Sequence, residues 1–275
     1  MRWARVEIDG RVRGALVEGD ELAIVEDDDP VEVLTGRRAP RATGLRVPLD
    51  GAGLVTPLAA RRNVMCVGWN YLPHFEERSR VHGERPLPDV PAFFTKTTTS
   101  VIGPSDAVPS HRDLTLELDF EVELGLVIGT ECRDVDEASA MDAVAGYFVS
   151  NDISARDLQK AHGGQWYKGK SLDGTCPIGP WIVSSDEIAD PQDLDISCRL
   201  NGETMQSSNT RHMIFPIARV LAELSKGLTL LPGDLVLTGT PEGVGFSRVP
   251  PIFLRPGDVL ESSVDGIGTI RNPIV

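Results

Sequence analysis

A chain of 275 residues with 41% hydrophobic and 25% charged residues has room for one large domain, or one domain and a small appendage, around a substantial core. Its net charge of -14 argues against a nucleic-acid partner, because phosphates demand a basic face, but leaves the sign of a small substrate open. No apolar run approaches the roughly 20 residues of a membrane span, and Met1-Arg-Trp-Ala-Arg-Val-Glu lacks the apolar centre of a signal peptide. The expectation is a cytoplasmic protein with no membrane partner. Cys66, Cys132, Cys176 and Cys198 are widely spaced, with no Cys-x-x-Cys pair, and read as reduced, mostly buried small residues.

Residues 2–26 read as a small β-meander. Trp3–Ile8 and Val12–Val17 flank Asp9-Gly10, a hairpin turn signal, and Glu21–Val25 follows Gly19-Asp20. Residues 27–60 are rich in Asp, Pro, Arg and Gly with weak periodicity, so an N-terminal β module over residues 1–60 and a larger domain over 61–275 are expected. Val64–Val67 reads as a strand, Gly68-Trp-Asn70 turns the chain, and Pro73 suits a first helical turn, where its missing N–H costs nothing. His74 and Glu77, at i and i+3, then share a helical face. A carboxylate there can hold one imidazole nitrogen and leave the other to take a proton from water, although surface pairs of this spacing are also common. Residues 78–91, charged and broken by Pro and Gly, read as a lid or as plain surface loop. Ala92–Lys96 is a strand ending in a lysine that either binds a carboxylate or is solvated.

From Leu114 to Leu124 the chain alternates strictly, with Leu, Leu, Leu, Phe, Val and Leu on one side and Thr115, Glu117, Asp119, Glu121 and Glu123 on the other, the period of a half-buried strand. Glu121 and Glu123 point the same way, about 6.5 Å apart along the backbone, close enough for both to reach one hard cation. Asp152, at the end of a second strand-like run over Val144–Val149, is the best third ligand. The same alternation also fits an antiparallel strand that shows its acids to water. Between these runs, residues 134–145 carry capping acids and an apolar stripe of helical spacing, and Ile153–Gln159 reads as a short helix.

The segment Trp166–Pro180, punctuated by Gly and Pro and bearing Lys168 and Lys170, has no clear period and suits a site wall or a simple connection. Asp195–Leu200 and Glu203–Gln206 flank Asn201-Gly202 as a hairpin, and Phe215–Lys226 is a helix with Pro216 in its first turn and Gly227 at its end. Strand 235–238 leads into Gly239-Thr-Pro-Glu-Gly-Val-Gly245, which lacks the lysine and following helix of a phosphate loop and reads as close backbone approach to a small acid, or a turn. A last hairpin pairs Val259–Val264 with Ile267–Arg271.

Taken in order, Gly68-x-Asn70-Tyr71-x-x-His74-x-x-Glu77, Phe94-x-Lys96, Glu121-x-Glu123-Leu-Gly125, Asp152-x-x-Ala-Arg156-Asp157-x-Gln159, Lys170-Ser171 and Thr238-Gly-Thr-Pro-x-Gly-Val-Gly245 resemble the fumarylacetoacetate hydrolase family over roughly residues 61–275. The resemblance implies an α+β, mostly β fold of mixed curved sheets with a few short helices, assembled as a homodimer. It implies one Mg²⁺ or Mn²⁺ per subunit on Glu121, Glu123 and Asp152, a water-activating pair of His74 and Glu77, and Lys170 as an active-site lysine. Tyr71, Lys96, Gln159 and Thr240 fall at positions lining the substrate pocket. One departure is Trp69, where some relatives carry a basic or small residue. It bears on how the distal end of the substrate is held, for which Arg78, Arg80, His82 and Arg85 are candidates.

A 2-oxo acid can chelate such a cation, which then acts as template and Lewis acid. When a bond β to the keto group breaks, the electrons collect as an enolate, and stabilising it is the common task. The expected activity is hydrolysis of a carbon–carbon bond in a β-diketo acid through a metal-bound enolate. Alternatives on the same site are an oxaloacetate-type decarboxylase and a 2-hydroxymuconate-type isomerase or hydratase of aromatic catabolism. A catalytically idle paralogue acting as a binding protein would have little reason to keep the three carboxylates with His74, Glu77 and Lys170.

Overall fold

The computed structural model describes residues 1–26, 29–82 and 86–275, with the side chains of 78–82 outside that part. Two turn signals set the register of their hairpins. Asp9 and Gly10, like Asn201 and Gly202, all have positive φ (50°, 71°, 54° and 84°), the geometry whose twist matches that of paired strands. Accordingly β1 (Arg2–Ile8) and β2 (Arg11–Glu18) close with Ile8 opposite Arg11, and β14 (Asp195–Leu200) and β15 (Glu203–Asn209) with Leu200 opposite Glu203.

The chain is mostly β. After β3 (Glu21–Val25) come α1 (Pro30–Leu34), β4 (Ala42–Pro48), β5 (Leu54–Val55), β6 (Val64–Gly68), α2 (Leu72–His82), β7 (Ala92–Lys96) and β8 (Val101–Ile102). The middle of the chain holds β9 (Leu118–Asp119), β10 (Val122–Ile128), β11 (Val144–Asn151), β12 (Ser154–Ala155), α3 (Arg156–Ala161), α4 (Tyr167–Lys170) and β13 (Cys176–Ser184). After β15 follow α5 (Ile217–Ser225), β16 (Leu235–Leu237), β17 (Val259–Val264) and β18 (Gly268–Pro273).

A mixed 12-stranded sheet runs β4-β3-β2-β1-β13-β11-β10-β16-β6-β7, with β5 on β1 and β8 on β13; a second sheet runs β15-β14-β17-β18, and β9 pairs with β12. The pairs β16·β6 and β13·β8 are parallel, and the rest of the large sheet is antiparallel. The N-terminal strands therefore share the sheet of the rest of the chain, joined where Arg2 and Trp3 of β1 pair with Val183 and Ile182 of β13.

Strand β10 explains why the acids sit inside. Leu124, Leu126 and Ile128 enter one apolar cluster with Ile196, Leu221 and Leu260, while Val127 joins a second cluster with Trp3, Phe148 and Ile178. With both faces covered, residues 118–129 are all buried, Asp119, Glu121 and Glu123 among them, so the half-solvated reading of this strand fails.

Three expectations need correction, and a fourth reading falls partly outside the described residues. The alternation from Leu114 is not one strand: the amides of Leu114 and Thr115 both bond to His111 O in a turn, leaving Leu114 and Leu116 exposed. Residues 134–145 form no α-helix, only a short tight turn at Ala140–Ala143, because Asp136 closes onto Ser139 N instead of capping a longer run. The segment 166–180 is not irregular throughout, since α4 and β13 both fall in it. The segment 78–91, read as a lid or a surface loop, is helical backbone as far as His82; Arg78, Arg80, His82 and Arg85, as side chains, lie outside the described residues.

Candidate active site

Glu121 and Asp152 are brought together by the ends of two paired strands. β10 and β11 run antiparallel with Val122 opposite Asn151, so the residue before one strand meets the residue after the other, and Asp152 N donates to Glu121 O at 2.7 Å. The Asn151 amide oxygen accepts from Glu121 N at 2.8 Å and fixes that corner. Glu123, two residues on, lies on the same side as Glu121, and its Oε2 accepts from Gly239 N at 2.7 Å, just beyond the end of β16. One oxygen from each of Glu121, Glu123 and Asp152 lies within 4.8 Å of the others, and all three residues are buried.

Three cations compensate this cluster. Lys170 Nζ, at the end of α4, donates to Glu121 Oε2 at 2.7 Å and Asp152 Oδ2 at 2.6 Å. Lys96 Nζ lies 2.8 Å from Asp152 Oδ1, off the hydrogen-bond direction, and donates instead to Ile153 O at 3.0 Å. Arg156 Nη2 sits 2.5 Å from Glu121 Oε1 and 2.8 Å from Asp119 Oδ2. Burial works against ionising Glu121, but Arg156 and Lys170 outweigh it and hold its carboxyl down at about 2. The same charges work in reverse on Lys170, which burial would neutralise and Asp152 and Glu121 push up to about 12. Glu123 has too little such help: burial, then the charges of Asp152 and Glu121, outweigh Lys170 and the Gly239 N–H and push it well above the usual carboxylate range.

That imbalance is the test of fit for a cation. An all-oxygen set of three buried carboxylates, one destabilised by its neighbours' charge and Asp152 Oδ1 accepting no hydrogen bond, suits a hard divalent ion such as Mg²⁺ or Mn²⁺. The residues fit the group.

His74 and Glu77 stand on one face of α2, with Nδ1 and Oε2 3.3 Å apart. Burial raises Glu77, but hydrogen bonds with His74 and Ser247 and from the Gly243 backbone more than offset it, so the carboxyl lies below its ordinary range. Gly243 N reaches both Glu77 oxygens at 3.2 Å, tying the glycine loop after β16 to the pair. His74, Glu121, Glu123 and Lys170 all border one cavity of about 620 Å³, together with Gln159 and Thr240. Gln159 Oε1 accepts from Arg156 Nη1 at 3.2 Å, and Thr240 Oγ1 from Gln206 Nε2 at 2.9 Å.

A family model described as "Fumarylacetoacetate (FAA) hydrolase C-terminal" matches residues 63–275, and one described as "Rv2993c-like, N-terminal" matches residues 1–57. The chain belongs to the fumarylacetoacetate hydrolase family. Among curated members, it is 44% identical over 223 residues to an oxaloacetate tautomerase, mitochondrial, of Xenopus laevis, covering 81% of this chain and 68% of that protein. It is 38% identical over 279 residues to the 2,4-didehydro-3-deoxy-L-rhamnonate hydrolase of Sphingomonas sp. (strain SKA58), covering 100% and 96%. The solved fumarylacetoacetate hydrolase from psychrophilic Exiguobacterium antarcticum superposes with a TM-score of 0.88 at 40% identity, over 100% of this chain and 99% of that one. Members of one family thus carry names for proton transfer and for hydrolysis.

Within this family member, the residues expected from motifs divide in two. Glu121, Glu123, His74, Lys170, Gln159 and Thr240 border the cavity, while Asp152 joins the two glutamates and Glu77 joins His74 without lining it. Tyr71 and Lys96 do not line it: Tyr71 is wholly buried in the apolar core, its hydroxyl without a hydrogen-bond partner, and Lys96 lies behind Asp152. Sequence reasoning gave no role to Asp119 or Arg156, nor to Trp166 and Phe246, which line the cavity. Arg156 and Asp119 had a signal, a charged residue inside each of two motifs already noted, whereas Trp166 and Phe246 had none. No helix among the described residues is long and apolar enough to cross a membrane.

Proposed function

We propose that this chain is a divalent-metal-dependent hydrolase that cleaves a carbon–carbon bond of a small β-diketo acid. The observation that carries the reading is that Glu121, Glu123 and His74 open on one cavity, with Asp152 clustered beside the two glutamates and Glu77 holding the imidazole from behind. When bound by Glu121, Glu123 and Asp152, Mg²⁺ or Mn²⁺ supplies a template and Lewis acidity for the 2-oxo acid end of the substrate.

The chain's own groups supply the rest. Glu77 holds His74 Nδ1, which leaves Nε2 to take a proton from water as that water attacks the 4-carbonyl. The C3–C4 bond breaks, its electrons pass to C3 and the 2-oxo oxygen as an enolate, and the charged Lys170 and Arg156 at the cavity wall favour that developing anion. Protonation at C3 releases pyruvate or its analogue, and the acyl half leaves as a carboxylic acid. Gln159 and Thr240 are suited to orient the polar end of the substrate.

A second reading is favoured by the tautomerase relative: the same pair could move a proton between C3 and the 2-oxo oxygen of oxaloacetate without breaking a carbon–carbon bond. Purified protein with Mg²⁺ or Mn²⁺ is offered acetylpyruvate and oxaloacetate, each followed by ultraviolet absorbance beside a His74→Ala control. Metal-dependent loss of acetylpyruvate that disappears in the control is the expected result. Survival of acetylpyruvate while enol and keto oxaloacetate interconvert would transfer the assignment to the second reading, and inertness toward both would favour an idle binding protein. A homodimer belongs to the same proposal and is tested by light scattering.

A further inference from the structure

We infer that the distal end of the substrate is an apolar acyl group of aryl size, selected by Trp69 and Trp166; this rests on the reading of the cavity as a 2-oxo acid site. A continuous run of rings leads away from the charged groups. Lys170 Nζ lies 4.9 Å from the Phe94 ring centroid, Phe94 is 5.2 Å from Trp166, and Trp166 is 4.6 Å from Trp69, both ring pairs edge to face. All three rings border the cavity and none is fully buried, so part of their apolar surface is left for a ligand to cover.

The local backbone is built around this arrangement. Trp69 has φ 54°, a left-handed conformation that a bulky residue adopts at a cost and keeps only where its surroundings hold it. Gly68 lies directly under Trp166: a Cβ there would come within 2.4 Å of Cζ3 of the indole, so only glycine lets that ring rest on the end of β6. The two residues thus place one indole and make room for the other.

Charge and size point the same way. Of the cations described around the cavity, Lys170 and Arg156 are taken up by the buried acids, and Lys160 is largely exposed, 3.7 Å from Glu117 Oε2. The two buried cations of the wall are therefore not free to receive a carboxylate on the substrate's tail, and the exposed Lys160 is the one described wall cation open to it, which the diacid in the test below probes. A cavity of about 620 Å³ is also far larger than a four-carbon acid needs, since pockets of roughly 300–1,000 Å³ hold ligands of drug size.

The test uses analogues that lack the 4-carbonyl and are not cleaved, so binding is read apart from reaction. Dissociation constants of 4-phenyl-2-oxobutanoate, 2-oxobutanoate and 2-oxopentanedioate are measured by calorimetry with the Mg²⁺-loaded full chain. The phenyl compound should bind at least about tenfold more tightly than 2-oxobutanoate, a discrimination well within reach of an apolar wall, and more tightly than the diacid. That ratio should shrink to about threefold or less in Trp166→Ala and in Gly68→Ala, which displaces the ring without deleting it. Equal binding of the phenyl and methyl compounds, preference for the diacid, a ratio unmoved in both variants, or no binding of any analogue overturns the inference. If the phenyl preference holds while acetylpyruvate is not cleaved, the reaction assignment falls and the tail assignment stands. If acetylpyruvate is cleaved and the phenyl preference is absent, the tail assignment falls and the reaction assignment stands.

Discussion

Replacing Asp119 by Asn should disturb the site from behind. Asp119 is fully buried, and its two oxygens accept from Phe120 N (2.8 Å), Gly245 N (2.7 Å), Phe246 N (3.1 Å) and Arg156 Nε (2.8 Å). Burial pushes this carboxyl up despite the pairing, whereas Asp119 and Glu121 hold Arg156 further into its charged range. Four donors converging on two oxygens argue for the ionised form. An amide keeps one acceptor and turns two N–H donors toward Phe246 N or Arg156, so the guanidinium loses a partner in a place water cannot reach. Breaking a buried pair from one side costs roughly 3–5 kcal/mol, which for a chain of this size lowers Tm by roughly 6 to 20 °C. Because Arg156 also holds Glu121, kcat/KM and cation affinity should fall by about 10- to 100-fold, the usual effect of losing a group that orients a ligand. Differential scanning calorimetry and a Mg²⁺ titration check both. A variant melting within about 2 °C of the parent with unchanged affinity would mean that Asp119 anchors neither Arg156 nor the glycine loop.

Three further outcomes follow from the same electrostatics. Glu123→Gln removes the carboxyl that burial and its neighbours already disfavour, so the metal-free protein should keep its stability within about 1 kcal/mol while Mg²⁺ no longer raises its melting temperature; marked destabilisation would contradict the charge crowding. For the parent chain, a cation at 100 times its dissociation constant should add about 2.7 kcal/mol, reversed by chelator, with affinity rising with pH because the proton on Glu123 must leave; calorimetry at several pH values reads this. Glu77 is depressed in the fold, so its contribution is complete above its ordinary value of 4.5 and fades as the pH falls through the lower folded value. Thermal melts of Glu77→Gln should therefore lie below the parent at neutral pH and converge with it in acid, and a gap that widens in acid would reverse the sign.

How far the sequence reached depended on whether a residue's signal was local. Asp9-Gly10 and Asn201-Gly202 specify their turns within two residues, and both hairpins have the expected register. β4 was missed because six of its seven residues are exposed, so no face imposes alternation on it. β13 was missed for the opposite reason: Pro177 and Pro180 read as breaks, yet the strand is held between β1 and β11 and buried almost throughout. The alternation from Leu114 misled because a pattern of period two was continued backward through a turn whose bonds, from Leu114 N and Thr115 N to His111 O, leave no mark on it.

The candidate site divides along the same line. Spacing alone places Glu121 beside Glu123 and His74 beside Glu77, because each pair belongs to one short stretch of backbone. The third acid needed the end of a second strand, reached through the corner where Asn151 bonds Glu121 N, 30 residues away. Asp119 lies in the most acidic motif of the chain and still escaped notice as a clamp, since its decisive partner, Gly245 N, is 126 residues distant. Trp166 was invisible for the same physical reason. An indole in an unpatterned segment becomes a wall only when Gly68, on a strand nearly a hundred residues earlier, leaves the space for it, and that vacancy is a property of the packed chain.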